Sequence, residues 1–172
     1  MRTKHPGRAA TSLDDLESVR QAALRLLERT RRTRSDLDRR LRDKGGSPEQ
    51  VAEVLERLAS VGLVDDVEFA RAFLAGRWGR RAAGWRRLEQ ELRRRGISTD
   101  DITTARTRLE AERGVTDESA LARRAIEQAA RKYATLEPWE RKRRLWALLM
   151  RRGFSSDAIE QALREVGETS ET

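Results

Sequence analysis

Three stretches of the chain align on a glycine: Leu41-Arg-Asp-Lys-Gly45-Gly-Ser47-Pro-Glu-Gln-Val51, Leu92-Arg-Arg-Arg-Gly96-Ile-Ser98-Thr-Asp-Asp-Ile102 and Leu149-Met-Arg-Arg-Gly153-Phe-Ser155-Ser-Asp-Ala-Ile159. In each, Leu stands four before Gly, Ser two after it and a β-branched residue six after it. Thirteen residues beyond each Gly comes another apolar residue, Leu58, Leu109 or Val166. The glycines are 51 and 57 residues apart, and this recurrence of several anchors marks an internal repeat.

Each window reads as a helix–corner–helix. A helix ends at Gly, which reaches a left-handed conformation at little steric cost. Basic residues in that last turn, such as Arg93, Arg94 and Arg95, suit the negative end of the helix dipole. Ser47, Ser98 and Ser155 then cap the following helices, and Ser47-Pro48-Glu49-Gln50 has a proline at the first helical position and a capping-box Gln. Ile97 with Ile102, and Phe154 with Ile159, have the spacing of hydrophobic staples.

A third helix precedes each corner pair, over Leu16 to Glu28, Asp66 to Arg77 and Ser119 to Lys132, where apolar residues recur at helical spacing. The expected fold is therefore all-α: three tandem three-helix repeats, at 13–62, 65–112 and 116–167, in a curved, elongated array. Residues 1–12 and 168–172 are polar and are expected to be disordered tails, basic and acidic respectively. Units this small bury little by themselves and gain stability by stacking.

Composition agrees. Of 172 residues, 37% are hydrophobic and 38% charged, which favours thin helical layers over one thick core. There is no Cys, which excludes disulfides, thiolate-bound zinc, iron–sulfur clusters and thiol catalysis. The one histidine, His5, cannot build a multi-His metal site. No stretch reaches eighteen apolar residues, and Met1 to Thr11 has no apolar signal core, so a cytoplasmic location is expected.

Net charge is +8, and its placement carries more than its size. Between Arg71 and Gly96 nine arginines face two glutamates, a local +7. Residues 141–152 carry +6 with no acid, whereas 47–68 carry −5. Trp78 and Trp85 flank the first basic cluster, and Trp139 and Trp146 the second. Arginine interleaved with aromatics is the composition that holds a phosphate backbone and stacks bases. The plainer reading of tryptophans seven apart is that they fill a helix seam, and Trp146 fits that reading better than Trp78 or Trp85. Candidate phosphate contacts are Arg71, Arg77, Arg80, Arg81, Arg86 and Arg87, assisted by Arg141, Arg143 and Arg144. Trp78 and Trp85 are the candidate stacking residues.

Asp65 and Asp66 are adjacent carboxylates, but a capping role outranks a divalent-metal site. Asp65 caps a helix with Glu68 three residues on, Val64 and Phe69 staple it, and Asp66 complements the dipole. No metal or other cofactor is expected. No phosphate-binding glycine loop and no nucleophile elbow occurs, so a binding protein is preferred to an enzyme.

The run Gly62-Leu-Val-Asp-Asp66-Val-Glu-Phe69-Ala70-Arg71-Ala-Phe73, followed by Gly84, Leu88 and Glu91-Leu92-Arg-Arg-Arg-Gly96-Ile97, resembles the RecX family of recombinase regulators. The likeness reaches back through Arg34-Ser35-Asp36-Leu37 and Leu41 and forward into the Gly153 unit, where Glu137-Pro138-Trp139 replaces the basic glycine-containing segment. It implies a non-enzymatic protein that binds the RecA–single-stranded DNA filament and suppresses its ATP hydrolysis and strand exchange. No helix is set aside for dimerisation, so a monomer is expected. The competing class is a helix-turn-helix transcription regulator, which would bind a duplex site, usually as a dimer. A magnesium-dependent nuclease using Asp65 and Asp66 is the weakest alternative.

Overall fold

The computed structural model describes residues 15–78 and 83–169; tail 1–12 and residues 170–172 lie outside the described residues. Among the described residues there are nine α-helices and no strand: α1 (Leu16–Arg29), α2 (Arg34–Arg42), α3 (Pro48–Ser60), α4 (Asp66–Arg77), α5 (Trp85–Arg93), α6 (Thr99–Arg113), α7 (Glu118–Ala130), α8 (Pro138–Arg151) and α9 (Ser156–Thr169). A 3-10 turn at Arg131–Tyr133 extends α7.

The corners form as local chemistry dictates. Gly45, Gly96 and Gly153 sit at φ 93°, 80° and 82°, where a Cβ would be strained. At the first and third corners the N–H after the glycine, of Gly46 or Phe154, donates to the carbonyl of Leu41 or Leu149, at 3.0 and 3.2 Å. The same leucines are fully buried, so one residue type closes the helix and anchors it in the core. Ser47 and Gln50 exchange side-chain-to-backbone bonds at 3.3 Å, a complete capping box. Ser98 Oγ accepts from Asp101 N–H, Ser155 Oγ from Ala158 N–H, and Asp65 Oδ1 from Glu68 N–H.

The chain divides into two compact units. The first holds residues up to Phe69 together with Arg95–Ile97, and the second holds Ala70–Arg94 and everything from Ser98 onward. The core of the first is built from Val19, Ala22 and Ala23 of α1, Leu37 and Leu41 of α2, and Val51, Val54, Leu55 and Leu58 of α3. Arg32, Arg39 and Arg40 converge on Asp36 at the start of α2, each at 2.7 or 2.8 Å. Burial pushes the Asp36 carboxyl up, but the bonds from Arg40, Arg32 and Arg39 outweigh it and hold it at about 2.

In the second unit, Leu121, Ala122, Ala125, Ile126 and Ala129 of α7 pack with Leu145 and Leu149 of α8 and Phe154, Ile159 and Ala162 near and on α9. Trp146 lies against this cluster, partly buried, in keeping with the seam reading of its spacing. Leu74 of α4, Leu88 and Leu92 of α5, and Ile102, Ala105 and Leu109 of α6 are likewise buried.

Each unit contains one junction of the same design. In the first, Thr33 Oγ, at the N-cap of α2, donates to Arg95 O at 2.9 Å, and the Arg34 N–H donates to Asp66 Oδ1 at 2.9 Å. In the second, the N–H of Gly84, at the N-cap of α5, donates to Arg152 O at 2.9 Å, and the Trp85 N–H donates to Glu118 Oε1 at 2.8 Å. Arg95 and Arg152 each precede a corner glycine, while Asp66 and Glu118 each open the helix that begins the next repeat. The first backbone N–H groups of a helix have no partner within it, so an acid brought from elsewhere satisfies one and complements the dipole. Glu118 does double duty, because its Oε2 accepts from Ser155 Oγ at 2.8 Å.

Candidate nucleic-acid interface

The described basic residues singled out from the sequence fall on α4, on α5 and on α8. Arg80 and Arg81 lie outside the described residues. Arg71 pairs with Glu112 at 2.9 Å. Arg77 lies over the Phe73 ring, its guanidinium carbon 4.0 Å from the centroid. That contact leaves the edge of the guanidinium available as a donor fork. Arg86 and Arg87 are exposed on α5; Arg87 Nε is 3.6 Å from Glu91, and Arg86 has no carboxylate partner among the described residues.

On α8 the three arginines have different employment. Arg141 donates to the carbonyls of Tyr133, Ala134 and Leu136 at 3.2, 2.8 and 3.2 Å, closing the turn that ends at Tyr133. Arg144 pairs with Glu140 at 3.2 Å, one helical turn back. Arg143 is exposed, lies over the Trp139 ring at 5.5 Å, and has no carboxylate partner among the described residues.

Trp78 and Trp85 do not share a helix, since α4 ends at Arg77 and α5 begins at Trp85. Their seven-residue spacing therefore is not a helix seam. The two rings meet edge to face, centroids 5.0 Å apart and planes at 68°. Arg106, from α6, lies 4.5 Å over Trp85 and 5.5 Å from Trp78, and its Nε is held by Glu110 at 2.8 Å. The small cavity beside them, lined in part by Leu74, Leu109 and Thr116, has a volume of about 50 Å³. Small-molecule pockets start near roughly 300 Å³, so this cavity as it stands is too small for a base. Sequence reasoning missed Arg106, because only the packing of α6 against the tryptophans gives it that role.

The adjacent acids at the start of α4 are separated in use. Asp65 caps its own helix, whereas Asp66 caps α2. Among the described residues no three His, Asp or Glu side chains gather as a metal site. No helix among them is long and apolar enough to cross a membrane.

Comparison with known proteins places these features in a family. Residues 20–58, 65–105 and 116–163 match the family models described as the first, second and third three-helix domains of RecX. The chain is 36% identical over 162 residues to a protein named regulatory protein RecX in Streptomyces coelicolor, covering 92% of this chain and 84% of that one. It is 37% identical to the protein of the same name in Thermobifida fusca, covering 93% and 84%. In fold it is similar to the crystal structure of RecX from Lactobacillus salivarius, with a TM-score of 0.79 at 22% identity over 90% of this chain and 97% of that one. With three successive domain matches and that identity over nearly its whole length, the chain belongs to the RecX family of regulatory proteins.

Proposed function

We propose that this protein is a non-enzymatic regulator that binds the filament formed by RecA on single-stranded DNA and lowers its ATP hydrolysis and strand exchange. Family membership supports the partner, and the distribution of arginines supports the DNA part of the contact. The observation that carries the latter is that Arg77, Arg86 and Arg143, all within the two basic clusters, have no carboxylate partner among the described residues. A guanidinium not already neutralised offers phosphate its full charge and a two-pronged donor geometry. Arg71, Arg87 and Arg144 contribute by exchanging a carboxylate for a phosphate, and Arg80 and Arg81 extend the first cluster. Arg141, bonded to three carbonyls, acts by setting the start of α8. The acidic stretch 47–68 suits a basic protein surface of the filament.

The experiment is a titration of this chain into RecA hydrolysing ATP on single-stranded DNA. Inhibition at well below one chain per RecA monomer is expected, because simple competition for DNA requires near-saturating amounts. Unchanged hydrolysis at a stoichiometric excess overturns the proposal. A chain that is monomeric in solution and shows no preference for duplex operator sequences separates this reading from a helix-turn-helix regulator.

A further inference from the structure

Trp139 is 66% exposed, and among the described residues it is the one aromatic side chain on the open surface. It stands in the first turn of α8, next to an exposed Lys142 and beneath Arg143, whose guanidinium carbon is 5.5 Å from the ring centroid. A single exposed indole is ordinary on a protein surface, and it is the cations beside Trp139 that give its position meaning. Of the acids at this end of α8, Glu140 is already paired with Arg144 and Glu137 is exposed at the N-cap.

The junctions described above exclude one occupant. In α2 and α5 the first helical residue offers an N–H to an acid of the following repeat, and the N-cap bonds to the next corner. In α8 the first helical residue is Pro138, which has no N–H, and the N-cap Glu137 makes no side-chain cap bond. The start of α8 thus lacks the donor through which a further repeat, or the first repeat of a second copy, would dock in the same way. What remains is a largely exposed indole with Arg143 over one face of the ring and Lys142 one turn along the helix, a surface suited to a ligand that is flat, apolar on its faces and anionic along its backbone.

We propose that Trp139 is a stacking platform for an unpaired nucleobase, with Arg143 and Lys142 holding the flanking phosphates. This rests on the DNA-binding part of the function proposed above. It assigns the base contact to Trp139 in place of Trp78 and Trp85, whose rings pack against each other and against Arg106.

The test is fluorescence anisotropy of labelled oligo(dT), and of an abasic oligomer of the same length and charge, with the wild-type chain, Trp139→Ala and Trp139→Phe. Wild type is expected to bind oligo(dT) more tightly than the abasic strand. Trp139→Ala should lose roughly tenfold on oligo(dT) and little on the abasic strand, and Trp139→Phe should recover most of the loss. If Trp139→Ala binds both strands as the wild type does, or weakens both equally, the platform is refuted while the DNA-binding function stands. Should wild type bind neither strand, direct DNA contact and the platform fall together. Retained helicity and melting temperature of both variants, expected for an exposed ring, assign any loss to contact and not to folding.

Discussion

Replacing Gly84 with Ala tests the junction of the second unit at its tightest point. Gly84 has φ −76° and ψ 164°, an extended conformation open to any residue, so the substitution brings no backbone strain. Its effect must come from space. A Cβ at Gly84 would lie well inside 3.0 Å of the oxygen and carbon of Gly153 and of the nitrogen of Phe154, all backbone atoms. They cannot swing aside as a side chain can, because Phe154 is fully buried and Gly153 is itself packed on Arg87. Relief requires α5 to part from the corner, which strains or breaks the bonds from Gly84 N–H to Arg152 O and from Arg86 N–H to Gly153 O, at 2.9 and 3.1 Å. Those bonds contribute about 1 kcal/mol each. Residual overpacking costs about 1–3 kcal/mol, and the restricted unfolded chain of Ala returns about 0.5–1 kcal/mol. The expected net loss is about 2–4 kcal/mol. Gly76→Ala is the control: Gly76 is helical, exposed and has nothing within 4 Å of its would-be Cβ, so about 0.5–1 kcal/mol should be gained. Urea unfolding followed by tryptophan fluorescence reads the right part of the molecule, since all four tryptophans belong to the second unit. A Gly84→Ala stability within about 0.5 kcal/mol of wild type would refute the argument, and so would an equal loss from Gly76→Ala.

Three further outcomes follow from the charge network. The Asp36 carboxyl is held at about 2 against an ordinary 3.8, so the folded state favours its ionised form. Its contribution is complete above about pH 4 and is lost as pH falls toward 2, when the carboxyl protonates and releases its arginines. With its side chain 25% exposed, that contribution is on the order of 1–2 kcal/mol. Asp36→Asn should therefore melt below wild type at pH 7 and match it near pH 2, by circular dichroism; a gap that persists at pH 2 would assign its effect to packing. For the interface, the double variant Arg77→Ala/Arg86→Ala should flatten the slope of log K for oligo(dT) against log salt by roughly 1.4. Arg141→Ala should leave that slope nearly unchanged and destabilise the second unit by about 1–2 kcal/mol, since three carbonyls lose a charged donor. The reverse pattern would make Arg141 the phosphate contact and Arg77 and Arg86 structural.

What the sequence by itself determined is the chemistry that acts within about one helical turn. Corner glycines, serine caps, the Ser47–Gln50 box, Asp65 at the head of α4 and the helices themselves were all legible, because each depends on residues three or four apart in the chain. The buried leucines were legible for the same reason, since helical periodicity states which face is apolar before it states what covers it. The tertiary structure decided what depends on residues tens of positions apart. Asp66 looks like half of an acidic pair but caps a helix that begins 32 residues earlier, and Glu118 does the same for α5 from 33 residues away. Gly84 looks like a loop glycine, yet the corner backbone of Gly153 and Phe154 occupies the space its Cβ would need. The four tryptophans are equivalent by composition, yet two pack on each other under Arg106, Trp146 joins a core and Trp139 stands in the open. The arginines divide in the same way, because a guanidinium is neutralised by whichever carboxylate or carbonyl the packing of helices brings within reach. No spacing rule along one chain contains that information.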